Sequence, residues 1–285
     1  MSAGGHVSPR GTPITGPSAL SGDWRRFVLL TTTLAVTEFK LRFYGSILGY
    51  LWSLMRPLML FGVLYVVFTQ FISVSDHPLF AASLLLGIVL FTFFADATGG
   101  AVTSVVDREN LVRKIQFPRM AIPLSVVLLA TINFVLNMVV VVIFSLIIGV
   151  KPQWTWFEMP FLLIGLGMFA TGCAMLLSAL YVRFRDLRPI WEVFLQVVFY
   201  GSLIIVPFEA VVQKYPTLAK ALLVNPVAAV VQQARYAFVD NNIPAAAGAM
   251  GSVLSLLGPI LITIVTFVLG LWVFNRAAPR VAEEL

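Results

Sequence analysis

An all-α integral membrane protein with six spans is the architecture this sequence predicts, and three observations carry it. Of its 285 residues 59% are hydrophobic and 11% charged, and the mean hydropathy of +0.94 lies outside what a soluble globular domain shows. Several apolar runs meet or approach the roughly 20 residues that a spanning helix needs. Basic residues collect on alternate sides of those runs, the bias that orients membrane proteins. A soluble helical protein would need many more charges to cover its outside.

Residues 1–22, rich in Gly, Pro and Ser and without an apolar core, are expected to form a disordered cytoplasmic tail rather than a cleaved signal peptide. Residues 23–45 read as an amphipathic helix. Phe27, Leu30, Leu34 and Leu41 fall near helical spacing and Arg25, Arg26, Lys40 and Arg42 interleave with them, although Val36, Phe39 and Phe43 leave the stripe. A basic, partly amphipathic helix beside a span lies most simply in the cytoplasmic interface.

Residues 46–285 hold the six predicted spans. Five runs are clean, at 57–74, 79–95, 122–150, 161–182 and 250–274, and a sixth at 190–206 is shorter. Lys and Arg number six up to Arg56, four between Asp96 and Arg119, three in 183–188 and two in the C-terminal tail, fifteen on one side. The other side has four: Lys151, Lys214, Lys220 and Arg235. Both termini are therefore expected in the cytoplasm. The net charge of +6 is a topology signal, and nucleic-acid binding is excluded.

On the external side a tight turn is expected at 73–78. Trp154 and Trp156 in "KPQWTWFEMP" suit the headgroup layer, an interfacial anchor being preferred over sugar stacking. Between the last two runs, Pro207, Pro216 and Pro226 divide an apolar stretch into two short predicted helices, 211–223 and 226–240. Non-spanning helices at membrane depth persist only when buried in protein or lining a cavity, which points to a gate or cap.

The cytoplasmic segment "VVDRENLVRKIQFPRM" is a charged, helix-like island. Asp107 and Glu109 precede Leu111, Val112 and Ile115, with Arg113 and Lys114 towards the end, an order that suits a short helix dipole, and Pro118 ends it.

The chemistry that is missing narrows the function. There is no Gly-Lys-Ser or Gly-Lys-Thr phosphate loop, so the chain does not hydrolyse ATP alone. There is no Gly-x-Ser-x-Gly elbow, no His-Glu-x-x-His and no Asp-rich diphosphate site. Cys173 stands alone and His6 and His77 are scattered, so no metal set is expected. The span interiors are almost free of ionisable groups, with Asp96 and Glu192 near ends and Asn133 and Asn137 neutral, and the two halves do not look like inverted repeats, which argues against ion coupling.

Four stretches in combination carry a resemblance: "FKLRFYGSILGYLWSLMRPLMLFGVLYVVF", "ENLVRKIQFPRMAIPLSVVL", "RFRDLRPIWEVFLQVVFYGSLIIVP" and "LVNPVAAVVQQARYAFVD". Each is weak alone. From about Phe39 to the C-terminus the chain resembles the transmembrane subunit of type 2 ABC polysaccharide exporters, the family that exports lipid-linked O-antigens, capsules, teichoic acids and actinobacterial galactan. It departs at Leu203, where relatives commonly have a proline after Gly-Ser.

The resemblance implies a multi-pass protein of the bacterial inner or plasma membrane, a homodimer carrying two copies of a separate ATPase. The chain itself would bind no cofactor, with ATP and Mg on the partner. Its cargo would be a polyprenyl-diphosphate-linked glycan moved outward. The island then becomes the ATPase-coupling element, through Asp107, Arg108, Glu109, Leu111, Val112, Arg113, Lys114, Phe117 and Pro118, with Arg185, Asp186 and Arg188 of "RFRDLRP" as a second contact. Arg42, Arg183 and Arg185 are candidates for the substrate diphosphate, since guanidinium forks match phosphate oxygens. Tyr44, Tyr50, Trp52, Tyr181, Phe184, Phe194, Phe199 and Tyr200 are candidates for an aromatic lining along which sugars slide. The rival readings are an integral-membrane glycolipid-processing transferase and an ABC exporter of small lipids or drugs. "QFPR" and the Pro-broken external helices favour the glycan branch by resemblance.

Overall fold

A computed structural model describes residues 24–44, 51–71, 79–114, 118–206 and 208–284. The N-terminal tail, the turn at 73–78, Tyr50 and Phe117 lie outside these residues, as do the side chains of Val112, Arg113 and Lys114. The described chain is helical throughout, joined by turns and short connections.

Helix α1 (Trp24–Phe43) packs on α5 (Ala121–Ile147), burying Phe27, Thr31 and Ala35 one turn apart. Leu30 and Leu34 join this face, whereas Leu41 is exposed and turns to a cavity rim. Helix α2 (Leu51–Val66) continues as a π-helical turn, Val67–Phe71, and starts six residues before the apolar run because Trp52 to Arg56 are as compatible with helix as the apolar residues after them.

Helix α3 (Phe80–Asp107) is the axis of the molecule. It is buried on nearly all sides, by α2, α5, α6 (Met159–Tyr181), α7 (Leu187–Gly201) and α10 (Pro226–Ala234). Its 28 residues span about 42 Å, beyond the roughly 30 Å hydrocarbon layer. The helix runs past the end of the apolar run at residue 95 because Asp96, Gly99 and Gly100 lower its hydropathy without breaking it. The six-residue helix α4 (Glu109–Lys114) comes next, and Pro118 is buried at the foot of α5.

The most extensive helix pairing is α6 with α12 (Leu257–Glu284). Its seam is glycine on glycine: a Cβ on Gly270 would lie 2.4 Å from the Gly172 carbonyl oxygen, and one on Gly172 would lie 2.7 Å from Phe267 Cα. In lipid, helix association rests on such close approach, because the surrounding tails are as apolar as leucine.

Among the described residues five helices are long and apolar enough to cross a membrane: Leu51–Gln70, Phe80–Asp107, Ala121–Ile147, Trp154–Tyr181 and Val253–Ala277. The sixth run forms α7, whose 15 residues reach about 22 Å and do not cross alone. Leu203, at φ +55°, ends it. A branched side chain in the left-handed region is strained and halts helical propagation.

Beyond this turn the expected pair of external helices is a set of three, α8 (Phe208–Lys214), α9 (Pro216–Leu222) and α10, the last continuing as a π-helical turn, Arg235–Val239. Pro216 begins α9 rather than sitting inside one longer helix, since it has no N–H for an interior bond. Asn225 caps α10, its Oδ1 accepting from Val227 N at 3.0 Å, and its Nδ2 donates to Ser202 Oγ at 3.0 Å. Leu203, Phe208, Ala219, Leu223, Ala228 and Met250 close a separate core under this cap. Helix α11 (Ala246–Met250) ends at Gly251, φ +93°, which delays the last long helix to Leu257.

Trp154 is exposed, in keeping with an anchor. Trp156 is instead an internal strut, stacked on Phe238 at 4.5 Å with its indole Nε1 donating to the Phe238 carbonyl at 3.0 Å. The 3-10 turn Trp154–Glu158 points it inward, where the π turn presents both a ring and a carbonyl.

Candidate functional site

Where α1, α2, α3, α5 and α7 meet, a cavity of about 720 Å³ opens, lined by Glu38, Leu41, Arg42, Arg56, Asp96, Gly99, Gly100, Thr103, Asn133, Arg188, Trp191 and Glu192 among others. The two glycines on consecutive positions of α3 keep that wall low, a Cβ at Gly100 meeting Val126 Cγ1 at 2.9 Å. Arg188 Nε donates to Glu192 Oε1 at 3.2 Å across one turn of α7. Trp191 donates through Nε1 to Thr98 Oγ1 at 3.1 Å, which fixes its ring. Asn133 is buried, and its Oδ1 has no hydrogen-bond partner among the described residues.

Of the three arginines expected at a diphosphate, this cavity holds only Arg42. Arg183 and Arg185 are exposed in the turn between α6 and α7, with their guanidinium groups over the rings of Phe184 and Tyr181 at 5.7 and 5.4 Å. Arg56 and Arg188 stand with Arg42 instead. Arg56 is a lone cation directly before Pro57 and an apolar run, a signal that reads as a topology flank until the fold closes α1 and α7 around it.

The charged island is held from inside. Arg108 ends α3, and its NH2 pairs with the Glu38 carboxylate while NH1 donates to Ser125 Oγ at 3.2 Å. Burial pushes its guanidinium below the ordinary arginine value. Arg108 therefore ties α1, α3 and α5 together rather than facing outward. Asp107 is exposed and accepts from Thr103 Oγ1 at 2.7 Å, Glu109 opens α4, and Leu111 is half-buried, its N–H bonded to the Arg108 carbonyl at 2.9 Å. Arg185 and Asp186 are exposed beside Arg188.

The aromatic candidates divide. Tyr44, Trp52, Phe184, Phe194 and Tyr200 are exposed; Tyr181 and Phe199 are half-buried, Phe199 packing edge-on to Phe91 at 5.0 Å. Phe194 and Tyr200 belong to a stripe on α7 with Ile190, Val193 and Val197, all exposed and at helical spacing. On α2 an equivalent exposed row holds Trp52, Met59, Val63 and Val66.

Residues 30–239, from α1 to the end of the π turn in the cap, match the family model described as ABC-2 type transporter. The chain is 28% identical over 257 residues to an O-antigen export system permease protein RfbA of Klebsiella pneumoniae, an alignment that covers 90% of this chain and 95% of the relative. A protein of the same description from Myxococcus xanthus is 27% identical over 215 residues, 75% of this chain and 82% of the relative.

Proposed function

Because this chain belongs to the ABC-2 type transporter family, we propose that it is the permease subunit of an ATP-driven exporter moving a polyprenyl-diphosphate-linked polysaccharide, of O-antigen, teichoic acid or galactan type, out of the cytoplasm. The observation that carries this reading is the end-to-end likeness to permeases described by their names as O-antigen export components, with 95% of one relative covered. The family match also takes in the island, the charged cavity and the aromatic helix α7 together.

In this reading the protein sits in the bacterial inner or plasma membrane with both termini cytoplasmic. Two copies pair, and each binds one copy of a separate ABC ATPase that carries ATP and Mg. The absence of a phosphate loop from the full sequence is consistent with that division of labour. The apolar stripes of α2 and α7 would face the second copy, so that Trp52, Phe194 and Tyr200 line a path between them. Helix α7 and the α8–α10 cap would together provide the sixth crossing that α7 is too short to make alone. Closure of the ATPase pair would push α4, and the bond of Arg108 to Glu38 would pass the push to α1.

Purification of the tagged protein from its native membrane tests the reading. Expected is a stoichiometric partner with a phosphate loop, whose hydrolysis rises with polyprenyl-linked glycan. A preparation from membranes that preserve such complexes, active on glycolipid with no ATPase attached, would reject it in favour of a transferase.

A further inference from the structure

The cavity between α1, α2, α3, α5 and α7 has more positive charge than its own pairs neutralise. Arg188 is taken by Glu192, and the Glu38 carboxylate is taken by Arg108. Arg42 and Arg56 remain, neither with a hydrogen bond or ion pair among the described residues. The remaining carboxylate on the cavity wall is Asp96, half-buried on α3 and lining the same cavity as Arg42 and Arg56.

We propose that this cavity receives the diphosphate ester of the lipid-linked cargo, and that Asp96 is a built-in counter-ion whose place beside Arg42 and Arg56 the cargo's phosphates take over. The proposal rests on the exporter reading and adds Arg56 and Asp96 to it. Guanidinium forks bind phosphate oxygens in pairs, and two of them match the two negative charges of a diphosphate diester. Asp96 is then one anion too many. Its repulsion keeps the site weak, and a transport site must be favourable enough to fill yet weak enough to empty. Next to these charges, the unpartnered Oδ1 of Asn133 would accept from a hydroxyl of the first sugar, and the fixed ring of Trp191 offers it an apolar face.

The test is equilibrium binding to the full-length protein in nanodiscs, with farnesyl-diphosphate-linked N-acetylglucosamine as probe. Arg42→Ala and Arg56→Ala are each expected to weaken binding about tenfold, the loss of one charge-assisted contact. Asp96→Asn is expected to tighten it, by roughly three- to tenfold. Asp96→Glu, which keeps the charge, should bind like the wild type, and this guards against a tightening caused by altered folding. Unchanged or weaker binding by Asp96→Asn would overturn the counter-ion role. Inorganic pyrophosphate binding as tightly as the probe, or competition by phosphatidylglycerol in the disc, would reassign the cavity to free phosphate or to a bilayer headgroup and overturn the cargo assignment. If the probe behaves as expected but deleting the protein leaves surface glycan unaltered in cells, the site stands and the exporter reading falls.

Discussion

Arg235 shows how differently a residue reads in sequence and in space. Counted along the chain it is one of four external cations, yet it is 2% exposed, and its NH2 donates to the Ile204 carbonyl at 2.6 Å, beside the strained Leu203. The Nε and NH1 of Arg235 and the Oε1 of Glu209 are buried without hydrogen-bond partners among the described residues. Burial lowers the Arg235 pKa to about 10 while the Glu209 charge opposes the fall, so the group stays a cation at neutral pH. Replacing it by Met leaves the Ile204 carbonyl without its donor, at a cost of about 1–3 kcal/mol. The thermal midpoint of the detergent-solubilised variant should fall accordingly. Adding Glu209→Gln to Arg235→Met should recover part of the loss, since it removes a carboxylate stranded without its cation; strictly additive losses would show that the two groups are not coupled. Nothing in a single sequence points to this pair, because Glu209 and Arg235 lie on different short helices that only the cap brings together.

At the scale of elements, apolar runs reported the existence of the long helices but not their ends. Ends depend on local stops that hydropathy does not weigh: Leu203 in the left-handed region truncates α7, Pro216 restarts a helix, and nothing at Asp96 or Gly99 halts α3. The island was legible because its charges interrupt two apolar runs, and the structure adds the inward hold of Arg108. Leu111, half-buried on a six-residue helix, is the apolar residue of the island through which the proposed coupling is tested. Leu111→Glu should leave the protein inserted and folded but reduce export in cells at least about tenfold, the loss of one buried leucine and the burial of a charge in its place. Surface glycan measured beside membrane abundance separates the two effects, and normal export by this variant would remove the island from the coupling path.

For the whole molecule, the unburied faces of α2 and α7 set the assembly expectation. A cysteine at Val197, 63% exposed in the α7 stripe, placed in a Cys173→Ala background, should cross-link to a band of twice the chain's mass in native membranes. One at Val139, exposed on α5, should not. Equal behaviour at both positions would argue against a dimer through α7. The charged cavity was only partly legible for a related reason: its members come from five helices, and sequence proximity favoured Arg183 and Arg185, which the turn before α7 directs elsewhere. The glycine seam between α6 and α12 has a consequence for how the protein is made. Its two halves, Gly172 and Gly270, lie on α6 and α12, which the cap helices separate along the chain, so α6 is synthesised well before the helix that covers it. Until then the Gly172 face of α6 is a bare backbone groove open to any small-faced helix, so a nascent chain stalled between the two helices is a natural target for membrane quality control.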